Sequence, residues 1–212
     1  VIAVVFSRVH LPEIKHEETE EDRIKDTRIM KLFKHHPMFV FGLFSLLAYE
    51  IAEISINSYF INFVTGQGWM DDNSASMVLT VALGFFMVGR FLGSWIMRRI
   101  PAERMLMYCS LGSVSCLGVV LLDIGHWSMY ALIANYLFEA IMFPTIFSLS
   151  LQGLGNLTKS ASSLLMMTPI GGCFFLLMGY VADQTNLVVP FLIPFIGYFI
   201  VLLYASELSR KS

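Results

Sequence analysis

From Pro37 onward the chain alternates long runs of apolar residues with short polar or Gly-rich breaks. Six runs stand out, extending approximately from Pro37 to Val64, Ser74 to Met97, Arg104 to Leu122, Ser128 to Leu151, Ser160 to Ala182 and Val188 to Ala205. About 20 helical residues cover roughly 30 Å, the thickness of a hydrocarbon layer, so these runs are long enough to cross a membrane. Breaks this short force successive helices to run antiparallel. The pattern predicts an all-α integral membrane protein with a six-helix bundle over residues 37–206.

The chain before Pro37 divides in two. Val1 to Phe6 is apolar, with no charged stretch ahead of it and no small-residue cleavage site behind it, so it does not read as a signal peptide. Ending in Ser7 and Arg8, residues 1–9 read as the last turns of a preceding membrane helix, which makes the chain part of something larger. Residues 10–36 invert the composition: Glu17, Glu18, Glu20, Glu21 and Asp22 are followed by Arg23, Lys25, Arg28, Lys31 and Lys34. This is a solvated linker. Its second half carries Ile24, Ile29, Leu32 and Phe33 among basic residues, so it is either a short amphipathic helix lying on headgroups or a mobile tether.

Basic residues set the orientation, because Lys and Arg are retained on the cytoplasmic side. The breaks at Thr65 to Asn73, Asp123 to Trp127 and Asp183 to Leu187 contain none, whereas the opposite side holds the linker, Arg98, Arg99, Arg104, Lys159, Arg210 and Lys211. The linker and the tail, residues 207–212, are therefore expected in the cytoplasm, with the bundle in the cell (inner) membrane. Trp69, Trp95 and Trp127 fall near run ends, where indole rings favour the interface.

Composition agrees: 56% of residues are hydrophobic, 14% are charged and the mean hydropathy is +0.68, more apolar surface than one core of 212 residues can hide. Lipid must cover the excess. A net charge of −2 offers nothing to a nucleic acid. Cys109, Cys116 and Cys173 sit singly inside apolar runs and read as packing residues, and His35 and His36 as interfacial polar residues. With no hydrolytic, redox, phosphate-cradling or metal-ligand motif in the sequence, neither an enzyme nor a cofactor is expected.

An ionised side chain at the bilayer centre costs on the order of 3 kcal/mol on the insertion scale, so Glu50, Glu53, Arg90 and Glu139 each ask for a reason. Glu50, Glu53 and Asn57 are spaced i, i+3, i+7 and form one stripe on the first run; Asn135 and Glu139, at i, i+4, form another on the fourth. Two stripes at similar depth are expected to line a common cavity, where carboxylates and amides can bind solute hydroxyls. The alternative is that they hydrogen-bond helix to helix and touch no solute. Arg90, with Arg98, Arg99 and Arg104 toward the inner surface, is read as part of a gating or structural ion pair. Gly89 and Gly93 form a GxxxG pair that admits a close neighbour, Pro169 with Gly171 and Gly172 weakens the fifth run, and Pro144 should free backbone carbonyls five residues after Glu139.

Three segments carry a family resemblance. Val88 to Arg104, with its Gly-Arg and Arg-Arg pairs, resembles the inside loop between the eighth and ninth helices of major facilitator transporters, although Met97 stands about where the full signature has aspartate. Ala140 to Gly155 is similar to the tenth helix of the fucose permease branch, and Ile170 to Asp183 to its eleventh. The resemblance covers Pro37 to Ala205 and implies the C-terminal half of a transporter, helices seven to twelve. It further implies alternating-access uptake of a monosaccharide of the fucose, glucose or galactose type with a coupling proton. The partners implied are the bilayer, the sugar, the proton and an N-terminal six-helix half, which holds the carboxylates of proton coupling in that family. On the residues alone, transport of another small solute, or a membrane sensor that kept the fold, remains open.

Overall fold

The computed structural model describes residues 30 and 32–211, and they form helices with no strand among them. The expected end of a preceding helix at residues 1–9 and most of the linker at 10–36 lie outside the described residues. Residues 32–35 are helical, with Leu32 buried while Met30 and Phe33 are exposed.

Among the described residues, six helical segments are long and apolar enough to cross a membrane. The first is α1, Pro37–Gly66; the second α2, Asp72–Ile96; the third α3, Ala102–Leu121. The fourth, His126–Leu151, is broken into α4, His126–Glu139, and α5, Met142–Leu151. The fifth, Gly155–Gln184, contains α6, Thr158–Leu165, a 3-10 stretch at Thr168–Phe174 and α7, Phe175–Gln184. The last helix, α8, spans Leu192–Lys211.

Local chemistry explains the ends and the breaks. Pro37 opens α1, where its missing N–H has no intrahelical partner to lose. Asp71 precedes α2 in extended geometry and accepts the Ser74 hydroxyl at 2.6 Å, which lowers the pKa of this exposed carboxyl below its ordinary value. Gly125 adopts φ +58° ahead of α4, a conformation open to glycine. Pro144 has no N–H to donate to Ala140, and the fourth span breaks at Ala140 and Ile141. Pro169, Gly171 and Gly172 fall inside the 3-10 stretch of the fifth span.

Helix α1 and the fourth span form the centre. α1 packs on α8, on α5 and on the 3-10 stretch of the fifth span; α8 packs on α3, α3 on α4, and α4 on α2. Glycines form the seams. A Cβ on Gly197 of α8 would stand 2.7 Å from the Ala48 carbonyl, and one on Gly89 2.7 Å from the Leu137 carbonyl. The Gly89 and Gly93 pair thus seats α2 on the fourth span at its break, with Gly93 against Ile141. Tyr49, Phe60, Tyr136, Phe191 and Tyr198 fill the core between these elements, whereas α2 exposes Met77, Phe91 and Trp95. Two boundaries differ from the hydropathy pattern: the fifth span begins at Gly155, and α8 runs on through residues 207–211, because Leu208 still packs on the core.

Candidate functional site

The intramembrane polar groups gather around the break in the fourth span. Glu139 ends α4 and is wholly buried, as is Asn135 one turn earlier. The Asn135 amide donates to Glu139 Oε2 at 2.8 Å, and the Tyr198 hydroxyl donates a short bond to the same oxygen. Asn135 Nδ2 also lies 3.5 Å from the Tyr198 hydroxyl. Gly197 makes this possible: by letting α8 approach α1 at Ala48 and Ala52, it brings the next residue, Tyr198, to the carboxyl group. Tyr49 closes the group from α1, donating to the main-chain carbonyl of Glu139 at 3.0 Å, its ring 6.3 Å from that of Tyr198.

Arg90 enters from α2. Its Nε donates to the Ala140 carbonyl at 3.2 Å, and its guanidinium lies 4.9 Å above the Phe86 ring. Among the described residues Arg210 and Glu207 form an ion pair at 3.6 Å, whereas Arg90, Arg98, Arg99 and Arg104 have no carboxylate in contact there. Arg90 holds a backbone carbonyl instead, and Arg99 lies 5.6 Å over the Trp95 ring.

The two polar stripes differ in exposure. Asn135 and Glu139 are sealed by Tyr49, Tyr198 and their own turn. On α1, Tyr49 and Phe60 face the fourth span, while Leu47, Ile51 and Ile54 meet the glycines of the fifth. At 100° per residue, Glu50, Glu53 and Asn57 fall between those two directions. Glu50 is buried, whereas Glu53 and Asn57 are half-buried, and Glu53 lies within electrostatic reach of both Arg90 and Glu139. Three cavities elsewhere, of about 650, 410 and 260 Å³, are lined by none of these five residues. Glu139 and Asn135 are thus internal cross-helix partners, and Glu53 and Asn57 are the members of the set with a partly open face.

Tyr49 and Tyr198 did not emerge from the sequence, because a tyrosine in an apolar run reads as core. The available signals were positional: Tyr49 stands four residues before Glu53, and Tyr198 follows a glycine. Glu139 Oε1, Asn135 Oδ1 and the Tyr136 hydroxyl are buried without a partner among the described residues, so the network has unused hydrogen-bonding capacity. No group of three or more metal-ligating side chains occurs among the described residues.

The arrangement has counterparts. The chain is 31% identical over its whole length to a glucose/galactose transporter of Brucella abortus, of which it covers 51%. It is 30% identical over 77% of its length to the L-fucose-proton symporter of Escherichia coli, covering 38% of that protein. The crystal structure of FucP, a Major Facilitator Superfamily transporter in the outward conformation, superposes with a TM-score of 0.82 at 25% identity over 97% of this chain and 51% of that one. The chain thus spans about half the length of the curated relatives it matches. The Major Facilitator Superfamily profile matches residues 1–176, and with six membrane-spanning helices among the described residues, in the fold of FucP, the chain is a multi-pass membrane protein that belongs to that superfamily.

Proposed function

We propose that this chain is the C-terminal six-helix half of a sugar transporter that moves a monosaccharide of the glucose, galactose or fucose type together with a proton, by alternating access. The observation that carries the reading is the 31% identity with a glucose/galactose transporter, in a match that covers the whole of this chain. The geometry supports it. Glu53 and Asn57 present a carboxylate and an amide at mid-depth on the half-open side of α1, groups suited to a sugar's hydroxyls. Behind them Glu139, Asn135, Tyr49 and Tyr198 tie three helices together at a break, the kind of interrupted helix found near solute sites in transporters. In this reading Glu53 and Asn57 touch solute, Glu50 borders them, and Glu139 with Asn135 holds the wall in shape.

The solute passes between this bundle and an N-terminal six-helix half, which supplies the opposite wall. The one-sided distribution of basic residues supports a cytoplasmic linker and C-terminus in an inner-membrane protein. The test is uptake by the full-length protein in liposomes under an inwardly directed proton gradient. Labelled glucose, galactose or fucose should accumulate above its external concentration, and a protonophore should abolish the accumulation. Binding of a sugar without accumulation would identify a sensor and overturn the transport reading.

A further inference from the structure

Odd-numbered spans of an antiparallel bundle run the same way, so α1 and α7 finish on one side of the membrane, at Gly66 and Gln184. Near those ends a cavity of about 410 Å³ separates them. Ser58, Tyr59 and Asn62 line it from α1, and Phe175, Tyr180 and Asp183 from α7. The spacings, i, i+1, i+4 on one side and i, i+5, i+8 on the other, put each set on a single helical face.

Tyr59 is the telling member. It is 5% exposed, its ring is held edge-on by Phe191 at 5.6 Å, and its buried hydroxyl has no hydrogen-bond partner among the described residues. An unsatisfied buried donor is costly, and a small turn of the side chain toward the recess lets a polar guest meet it. Asp183, exposed and within electrostatic reach of that hydroxyl, and Asn62, also exposed, complete a set that both donates and accepts. The lining holds no Lys or Arg, so nothing there offsets the charge of an anion beside Asp183. One carboxylate is a poor cage for a divalent cation. Phe175 and Tyr180 add aromatic surface for C–H groups, and the volume falls within the range of small-ligand pockets, about 300–1,000 Å³.

We infer that this recess is a second monosaccharide-binding site, at the mouth of the bundle opposite the cytoplasmic linker. Asn62 lies five residues beyond Asn57, roughly 7.5 Å further along α1, so the recess is a station before the mid-depth stripe. The inference rests on the sugar reading above, and its test separates the two.

In the full-length protein carrying Ser58→Cys, at an exposed lining position, and Cys173→Ala, the introduced thiol is labelled by a membrane-impermeant maleimide. Peptide mass spectrometry reads the labelling with glucose, galactose or fucose present, and accumulation is measured on the same preparation. At least one of the sugars should protect the thiol, and Asp183→Asn should raise the half-protecting concentration about tenfold without changing labelling in the absence of sugar. Protection without accumulation supports the site and removes the transport reading. Accumulation without protection does the reverse. Protection that Asp183→Asn leaves unmoved reports a conformational change elsewhere and overturns the site. So does a thiol that never reacts, because the recess would then be covered by the rest of the protein.

Discussion

Arg90 donates through Nε to the main-chain carbonyl of Ala140 at 3.2 Å, and this is the carbonyl that Pro144, four residues on, has no N–H to satisfy. The preceding carbonyl, of Glu139, is met by the Tyr49 hydroxyl at 3.0 Å. Two successive carbonyls at the break are therefore answered from two other helices, α2 and α1. A side chain that sequence alone casts as half of an ion pair is the substitute for a missing backbone donor.

Removing that donor should strand the carbonyl in an apolar setting. Arg90→Leu is expected to destabilise the full-length protein by about 1–3 kcal/mol, read by reversible unfolding in mixed detergent. Pro144→Ala supplies an amide that can bond Ala140 in its place, so the double variant should recover most of the loss. A double variant no more stable than Arg90→Leu alone would show that Arg90 acts through some other contact.

The spans were legible because run length and hydropathy suffice to identify a membrane helix, and so was the break, since proline lacks its N–H wherever it sits. The partners across the bundle were not. Arg90 reaches a carbonyl 50 residues away and Tyr198 a carboxyl group 59 residues away, and no local periodicity encodes such pairings. Periodicity also shows that Glu50, Glu53 and Asn57 share a face without showing what covers it. On the fourth span, two tyrosines that read as apolar core close over Glu139. The end of α8 was missed for a simpler reason: Ser206 and Glu207 end the apolar run, but Leu208 remains packed.

The GxxxG seam is testable against an internal control on the same helix. Gly89→Ala drives a Cβ to 2.7 Å from the Leu137 carbonyl, whereas Gly84→Ala meets nothing within 4 Å. Overpacking should cost Gly89→Ala about 1–3 kcal/mol. Gly84→Ala should be neutral or stabilising, by up to about 1 kcal/mol, through the lower chain entropy of alanine. Equal melting temperatures for the two variants would argue that α2 does not pack there.

Glu139 can be separated into shape and charge. Glu139→Gln keeps an oxygen for the Tyr198 hydroxyl and the Asn135 amide, and should unfold close to wild type. Glu139→Leu strands both donors in the core and should cost about 1–3 kcal/mol or more. In transport assays Glu139→Gln should leave sugar affinity and proton-driven uptake close to wild type, because a side chain that holds the wall in shape needs its oxygen and not its charge. Weaker binding or uptake in a variant that unfolds like wild type would show that the Glu139 carboxyl group takes part in transport itself.

Gly197 and Tyr198 should act as a unit. A Cβ at 197 would stand 2.7 Å from the Ala48 carbonyl and 3.0 Å from the Ala52 Cβ, so Gly197→Ala must push α8 away from α1 and carry the Tyr198 hydroxyl off Glu139. Part of its cost is therefore the lost hydrogen bond, which Tyr198→Phe has already removed. In a double-mutant cycle Gly197→Ala should destabilise less in the Tyr198→Phe background than in wild type, with a coupling of about 0.5–3 kcal/mol. Strict additivity would mean that α8 can shift without moving the hydroxyl, and that glycine at 197 serves packing against Ala48 and Ala52 alone.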